Sequence, residues 1–356
     1  MKYSHVWHPS AGCQISFIGY ALKLCAYERN YLFDNLKFLL IVLVVFGHSL
    51  EEISLAQDYA IIRAWIYSFH MPAFVFISGY FSKSVRRGEG ARKTIINCAI
   101  PYFIFNTIFA LCTEKTLVIN ILTPKYIFWY LFSLLIWRLL IDDLKRIKGI
   151  FILAILLGLY VGGIHEADRF LAISRTIAFF PYFVLGVLAD EATIAKVRKM
   201  PKCYSIIMSV ILSISVILLH IKNMIPVKAY ENIQCYQESG MNNLQGMAIR
   251  LFSYGVGIAA IFCIVNLVSN EKKWYTVYGS RTACIYIASA FSVKILYKFI
   301  DYIWSADFMF SHIEVGILLS LCVTIITIFT FGSKKISDTY LNVNKKLGDV
   351  LVKSGE

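Results

Sequence analysis

Ten stretches of the chain are apolar over close to the length of a bilayer crossing. They run over about 36–51, 59–82, 94–113, 125–141, 149–164, 170–189, 203–220, 247–268, 274–298 and 312–332. A helix rises about 1.5 Å per residue, so about 20 apolar residues cross the hydrocarbon core. The connections are mostly short and carry most of the charge. The pattern predicts an all-α fold, a polytopic membrane bundle of about ten transmembrane helices. An even number of crossings places both termini on one face.

Lysine and arginine decide which face. The segments up to 35, 83–93, 142–148, 190–202, 269–273 and 333–356 together hold 22 of them. The alternate segments hold five: Lys115, Lys125, Arg169, Lys222 and Lys228. Basic residues are retained on the cytoplasmic side, so both termini are expected in the cytoplasm. Three regions follow: a cytoplasmic N-terminal tail over 1–28 that is open to disorder, a membrane domain over 29–332, and a basic cytoplasmic C-terminal tail over 333–356. A cleaved leader around Ile15–Leu22 is the alternative for the first region, and the charge asymmetry argues against it.

Composition narrows the classes. Hydrophobic residues make up 58% of the 356 and charged residues 16%, too few polar groups to cover a soluble surface. The net charge of +13 could suit nucleic acid, but it is spread over loops between apolar runs rather than gathered on a patch. No nucleic-acid partner is therefore expected; membrane lipid is. The nine cysteines include no C-x-x-C pair, and several fall inside apolar runs. They read as small core residues rather than a disulfide framework or zinc site, and no metal is expected.

An ionisable side chain in hydrocarbon costs roughly 2.5–3.5 kcal/mol, which makes each one a functional candidate. Lys37 and His48 lie on the first span, eleven positions apart. Eleven steps of about 100° make three turns plus about 20°, so both point the same way, about 16 Å apart along the axis. That geometry suits a long anionic donor held at one end and chemistry at the other. The plainer reading makes Lys37 an interface anchor and His48 an interhelical hydrogen bonder. His70, in Phe69-His70-Met71-Pro72, falls near the bilayer centre beside a proline that frees a backbone carbonyl and bends the helix. It reads equally as an interhelical hydrogen bonder or a base. Arg175 lies about two turns inside span six and cannot shed its charge, so it needs an oxyanion or a carbonyl. Glu51 and Glu52 follow His48 by three and four residues; either could fix its tautomer, while solvation at the boundary explains both more simply. Arg138, Arg86, Arg87, Arg92 and Lys93 are individually topology charges and collectively a lure for a phosphate-rich cofactor.

Five stretches together resemble acyltransferase family 3, within it the fucose 4-O-acetylase-like branch. They are Tyr31–Lys37 leading to Val44-Val45-Phe46-Gly47-His48, Phe69-His70-Met71-Pro72 through Ser78-Gly79-Tyr80-Phe81, Ile100-Pro101-Tyr102, Trp129–Arg138, and Ser174-Arg175-Thr176 with Phe179–Phe183. The resemblance runs over about 29–332, and its first two stretches are specific in combination. It departs from the family at Ser289, where a histidine is common, and in the loop after span two, which lacks a pair of arginines two residues apart.

The resemblance implies a bundle of about ten membrane helices in a bacterial cytoplasmic membrane. It also implies an acyl-CoA donor, acetyl-CoA or another, and a carbohydrate hydroxyl as acceptor. On that basis Lys37, Arg138, Arg86, Arg87 and Arg92 would draw the CoA phosphates. His48 would be the general base, His70 would assist, and Arg175 would steady the oxyanion or hold the acceptor. No serine or cysteine is placed as a nucleophile, so direct transfer is expected. The rival is a polysaccharide or lipid-linked sugar exporter, for which inverted repeats or a polar stripe through the bilayer would be the mark.

Overall fold

The computed structural model describes residues 31–53, 57–83, 89–113, 121–165, 170–303 and 312–352. The N-terminal tail over 1–28 and two of the predicted donor contacts, Arg86 and Arg87, lie outside the described residues. Among the described residues there is no strand. The helices are α1 (Leu32–Ile53), α2 (Gln57–Tyr67), α3 (His70–Tyr80), α4 (Glu89–Thr94) with a π turn (Ile95–Ala99), α5 (Ile100–Thr113), α6 (Trp129–Leu144), α7 (Ile150–Val161), α8 (Ile173–Leu188), α9 (Glu191–Lys199), α10 (Lys202–Ile221), α11 (Val227–Glu231), α12 (Asn243–Leu267), α13 (Thr276–Gly279), α14 (Thr282–Ile303), α15 (Ile313–Phe331) and α16 (Lys334–Leu351).

Seven segments are long and apolar enough to cross a membrane: Leu32–Glu52, Tyr59–Tyr80, Gly90–Thr113, Lys202–Ile221, Asn243–Leu267, Thr282–Phe299 and Ile313–Phe331. An eighth arises if α8 and α9, bent by 92°, form one span. The three remaining predicted spans contain α6, α7 and α8. These have 16, 12 and 16 residues, so at about 1.5 Å per residue they are short of the hydrocarbon thickness. The chain is thus a multi-pass membrane protein, with shorter helices packed among its longer ones. Large apolar side chains such as Ile152, Leu156 and Ile207 stand exposed, as they must where lipid is the solvent.

Two packing devices position the site. α3 and α8 cross at close range because each contributes a glycine. A side chain at Gly79 would overlap the Phe183 carbonyl, and one at Gly186 would overlap the Phe76 carbonyl. This crossing sets His70, at the start of α3, relative to Arg175, at the start of α8. The N-terminal turn of α1 is fixed by Asn35, which is fully buried. Its Nδ2 donates to the carbonyls of Ser269 (2.7 Å) and Glu271 (2.9 Å), and its Oδ1 accepts from Thr276 Oγ1 (2.6 Å). These bonds span more than 230 residues of sequence and lock α1 to the connection before α13.

The predicted second span is broken. Pro72 has no N–H to offer the Ser68 carbonyl, and the chain leaves helical geometry at Phe69 (φ −138°). Span six begins later than expected, because Leu171 and Ala172 adopt left-handed backbone (φ 54° and 48°). Arg175 therefore lies on the first turn of α8 rather than two turns in. The C-terminal region forms α16, an amphipathic helix packed on the π turn, with Ile96 against Gly348 and Arg92 paired to Asp349 at 2.7 Å.

Candidate active site

Two cavities lie end to end inside the bundle. One, of about 180 Å³, is walled by His48 and Glu51 of α1, Tyr67 of α2, His70 of α3, Trp129 of α6, Arg175 of α8 and Glu231 of α11. The other, of about 350 Å³, is walled by Lys37 of α1, Ser78 of α3, Asn97 and Cys98 of the π turn, and Tyr130 and Arg138 of α6. Val44, Met71 and Tyr286 belong to both walls, so the two cavities adjoin there, with these three side chains forming the neck between them. His48, Val44 and Lys37 thus mark one side of α1 from the first cavity through the neck to the second, as the helical spacing requires.

In the His48 cavity the hydrogen bonds assign the ring nitrogens. His48 Nδ1 lies 3.1 Å from Glu51 Oε2, and Tyr67 Oη donates to the same oxygen at 3.2 Å. A carboxylate only accepts, so Nδ1 of His48 carries a proton, and Nε2 is the nitrogen that would accept in the neutral ring. His70 follows the same rule. Its Nδ1 is 2.8 Å from the Ile66 carbonyl, an oxygen at the break before α3, and this again leaves Nε2 as the acceptor. Tyr67 stands between the two imidazoles, with ring centroids 6.1 Å from His48 and 5.1 Å from His70. Two imidazoles, each anchored through Nδ1 and with Nε2 unclaimed among the described residues, therefore wall one small cavity.

Arg175 supplies the positive charge. Its guanidinium stacks over Trp129 at 4.8 Å, and its buried Nε has no hydrogen-bond partner among the described residues. The first turn of α8 adds the positive end of a helix dipole at the same place. A cation held by an aromatic face, with a donor unfilled, is arranged for an anion that arrives from the cavity.

In the second cavity Lys37 is paired with Asp34 at 2.9 Å. Arg138 donates from Nε to Ser82 Oγ (3.0 Å) and from a terminal nitrogen to Cys98 Sγ (3.7 Å). Both cations reach this wall, although they come from helices about 100 residues apart in sequence. Arg92 is not brought to it; its guanidinium is engaged by Asp349. Ser289 walls neither cavity, and its hydroxyl bonds back to the Tyr286 carbonyl of its own helix at 2.7 Å. Glu52 turns away to Lys294 at 2.5 Å, which leaves Glu51 as the carboxylate on His48.

The sequence reading missed Arg63 and Glu231. Arg63 Nη2 donates to Glu231 Oε1 at 3.0 Å, and Glu231 in turn walls the cavity. Burial pushes the Glu231 carboxyl above the ordinary range, Glu51 adds to the rise, and Arg63 opposes it. Arg63 was detectable, since it is a charge inside a predicted span. Glu231 was not, because it arrives from the polar connection between α10 and α12.

No curated protein and no solved structure matches the chain. A family model described as an acyltransferase domain matches residues 30–331, which takes in both cavities, the neck and every helix from α1 to α15. By that match the chain belongs to acyltransferase family 3.

Proposed function

We propose that this protein is a membrane O-acyltransferase that moves a short acyl group, acetyl in the first instance, from acyl-CoA to a carbohydrate hydroxyl. The observation that carries the proposal is the neck at Val44, Met71 and Tyr286. It joins a cavity bearing two cations to one bearing two base-competent imidazoles and an unfilled guanidinium. The Lys37 end takes the CoA phosphates from the cytoplasmic side of a bacterial inner membrane. The thioester lies at the neck.

The acceptor sits in the smaller cavity. Its aromatic walls (Tyr67, Tyr126, Trp129, Tyr230, Tyr286) and the Glu231 carboxylate suit a sugar ring. Its volume of about 180 Å³ is below the ~300–1,000 Å³ of sites for drug-sized ligands, and so fits one ring rather than a chain. His48 Nε2 takes the hydroxyl proton as the sugar oxygen attacks the thioester carbon. Arg175 faces the oxygen that gains charge. The C–S bond breaks, and the thiolate recovers the proton from His48, giving ester and free CoA. Glu51 holds His48 in the accepting tautomer, and His70 orients the acceptor. The resemblance of the five stretches together to the fucose 4-O-acetylase-like branch supports a sugar as the class.

The test is transfer of labelled acetyl from acetyl-CoA to envelope glycans in membranes bearing the full chain. Lys37→Ala and Arg138→Ala are each expected to raise KM for acetyl-CoA about tenfold or more, because each removes a charge-assisted contact of about 1.5–3 kcal/mol. Absence of label in glycan with the wild-type protein, alongside sugar export, would establish the exporter reading instead.

A further inference from the structure

A third cluster lies away from both cavities, where the connection between α11 and α12 docks on the end of α7. His165, Cys235 and Glu238 place an imidazole nitrogen, a thiol sulfur and a carboxylate oxygen all within 4.8 Å of one another. His165 Nε2 and Glu238 Oε1 are 3.6 Å apart. Cys235 is 1% exposed, and its thiol forms no disulfide among the described residues. The other described cysteines (98, 112, 203, 263, 284 and 322) all lie on helices or the π turn; Cys235 alone lies in a polar connection.

The cluster rests on a built scaffold. Tyr236, next to Cys235, donates its backbone N–H to the Gly162 carbonyl at 2.7 Å and its hydroxyl to the Leu159 carbonyl at 2.9 Å. Its ring fills a slot between Gly162 and Gly246, where a Cβ at either glycine would collide with it. Arg250 covers the ring at 4.7 Å and is itself held by the Gly158 carbonyl at 2.8 Å. The turn that carries Cys235 and Glu238 is therefore clamped onto the end of α7, a few residues before His165 in the chain, before any ligand arrives. An exposed His–Glu pair alone would explain neither the buried thiol nor the convergence of three donor types.

We propose that His165, Cys235 and Glu238 bind a zinc ion, with water as the fourth ligand. One nitrogen, one sulfur and one carboxylate form a borderline donor set that suits Zn²⁺. Bond lengths of about 2.0–2.3 Å put tetrahedral ligand atoms about 3.3–3.7 Å apart. The exposed His165 side chain can close that gap by rotation, while Cys235 stays fixed. Binding releases the thiol proton, since the thiolate is the ligand. The same connection runs back through Ile233 to Glu231 and Tyr230 of α11 in the wall of the His48 cavity, so the ion fastens that wall to the segment that follows α7. The inference stands independently of the acyl-transfer reading.

The test is titration of the purified full chain, in detergent or nanodiscs, with Co²⁺ as a spectroscopic probe and Zn²⁺ as competitor. The wild-type protein is expected to bind one equivalent. A thiolate-to-cobalt absorption should appear, and Zn²⁺ should abolish it. Cys235→Ser should lose the band, and His165→Ala should bind at least about tenfold more weakly. His165 is exposed, so its variant retains the fold if the cysteine variant does not. No thiolate band in the wild type, or undiminished affinity in His165→Ala, would overturn the site.

Discussion

Replacing His48 by alanine or glutamine is expected to lower kcat for acyl transfer about 100- to 10,000-fold, with KM for acyl-CoA little changed. The imidazole is held through Nδ1 by Glu51 at 3.1 Å, which leaves Nε2 as the nitrogen that can take a proton. Glutamine keeps the bulk and a donor to Glu51 but offers no basic nitrogen. The separation of kcat from KM is the informative readout, because the donor phosphates are assigned to the far end of the paired cavities. The check is steady-state transfer of labelled acetyl in membranes where each variant is present at wild-type level. Near wild-type turnover in both variants would remove His48 from the chemistry.

Arg175→Gln is expected to cost about 100- to 1,000-fold in kcat, the usual effect of losing one donor to a developing oxyanion. Lysine should rescue little. The Arg175 guanidinium carbon lies over the Trp129 ring at 4.8 Å with Nε unfilled among the described residues, and an ammonium supplies neither the planar face nor the fork. If Arg175 only braced Trp129, Arg175→Lys would lose stability without a selective loss of kcat. Thermal unfolding measured beside the kinetics separates the two roles.

The helical pattern was readable because lipid imposes it. Nearly every residue facing hydrocarbon must be apolar, so each crossing writes a run into the sequence. Length was less readable. α7 is as apolar as the longer spans yet has 12 residues, since neighbouring loops on its two sides take chain that the apolar run had suggested was helix. Lys37, His48, His70 and Arg175 could be picked out by the cost of burying them, and helical arithmetic put the first two on one side of α1. The same rule applies to Arg63, which lies near the start of the second span and pairs with Glu231.

Contacts made across long gaps had no local signal. Glu231 enters the cavity from a polar connection whose composition suggests solvent. His165 and Cys235 are 70 positions apart, so no ligand spacing could reveal them. Arg92 illustrates the converse. Its position in a basic loop suggested a phosphate contact, whereas α16 folds back and supplies Asp349 as its partner.

The central claim is that donor and acceptor meet at the neck formed by Val44, Met71 and Tyr286. A CoA thioester whose short acyl chain ends in a diazirine tests it most directly, through photolysis on the full chain and peptide mass spectrometry. Labelling of Val44, Met71 or Tyr286, suppressed by excess acetyl-CoA, is the predicted result. Labelling confined to lipid-facing side chains such as Ile152, Leu156 and Ile207, with the neck unmodified, would contradict it.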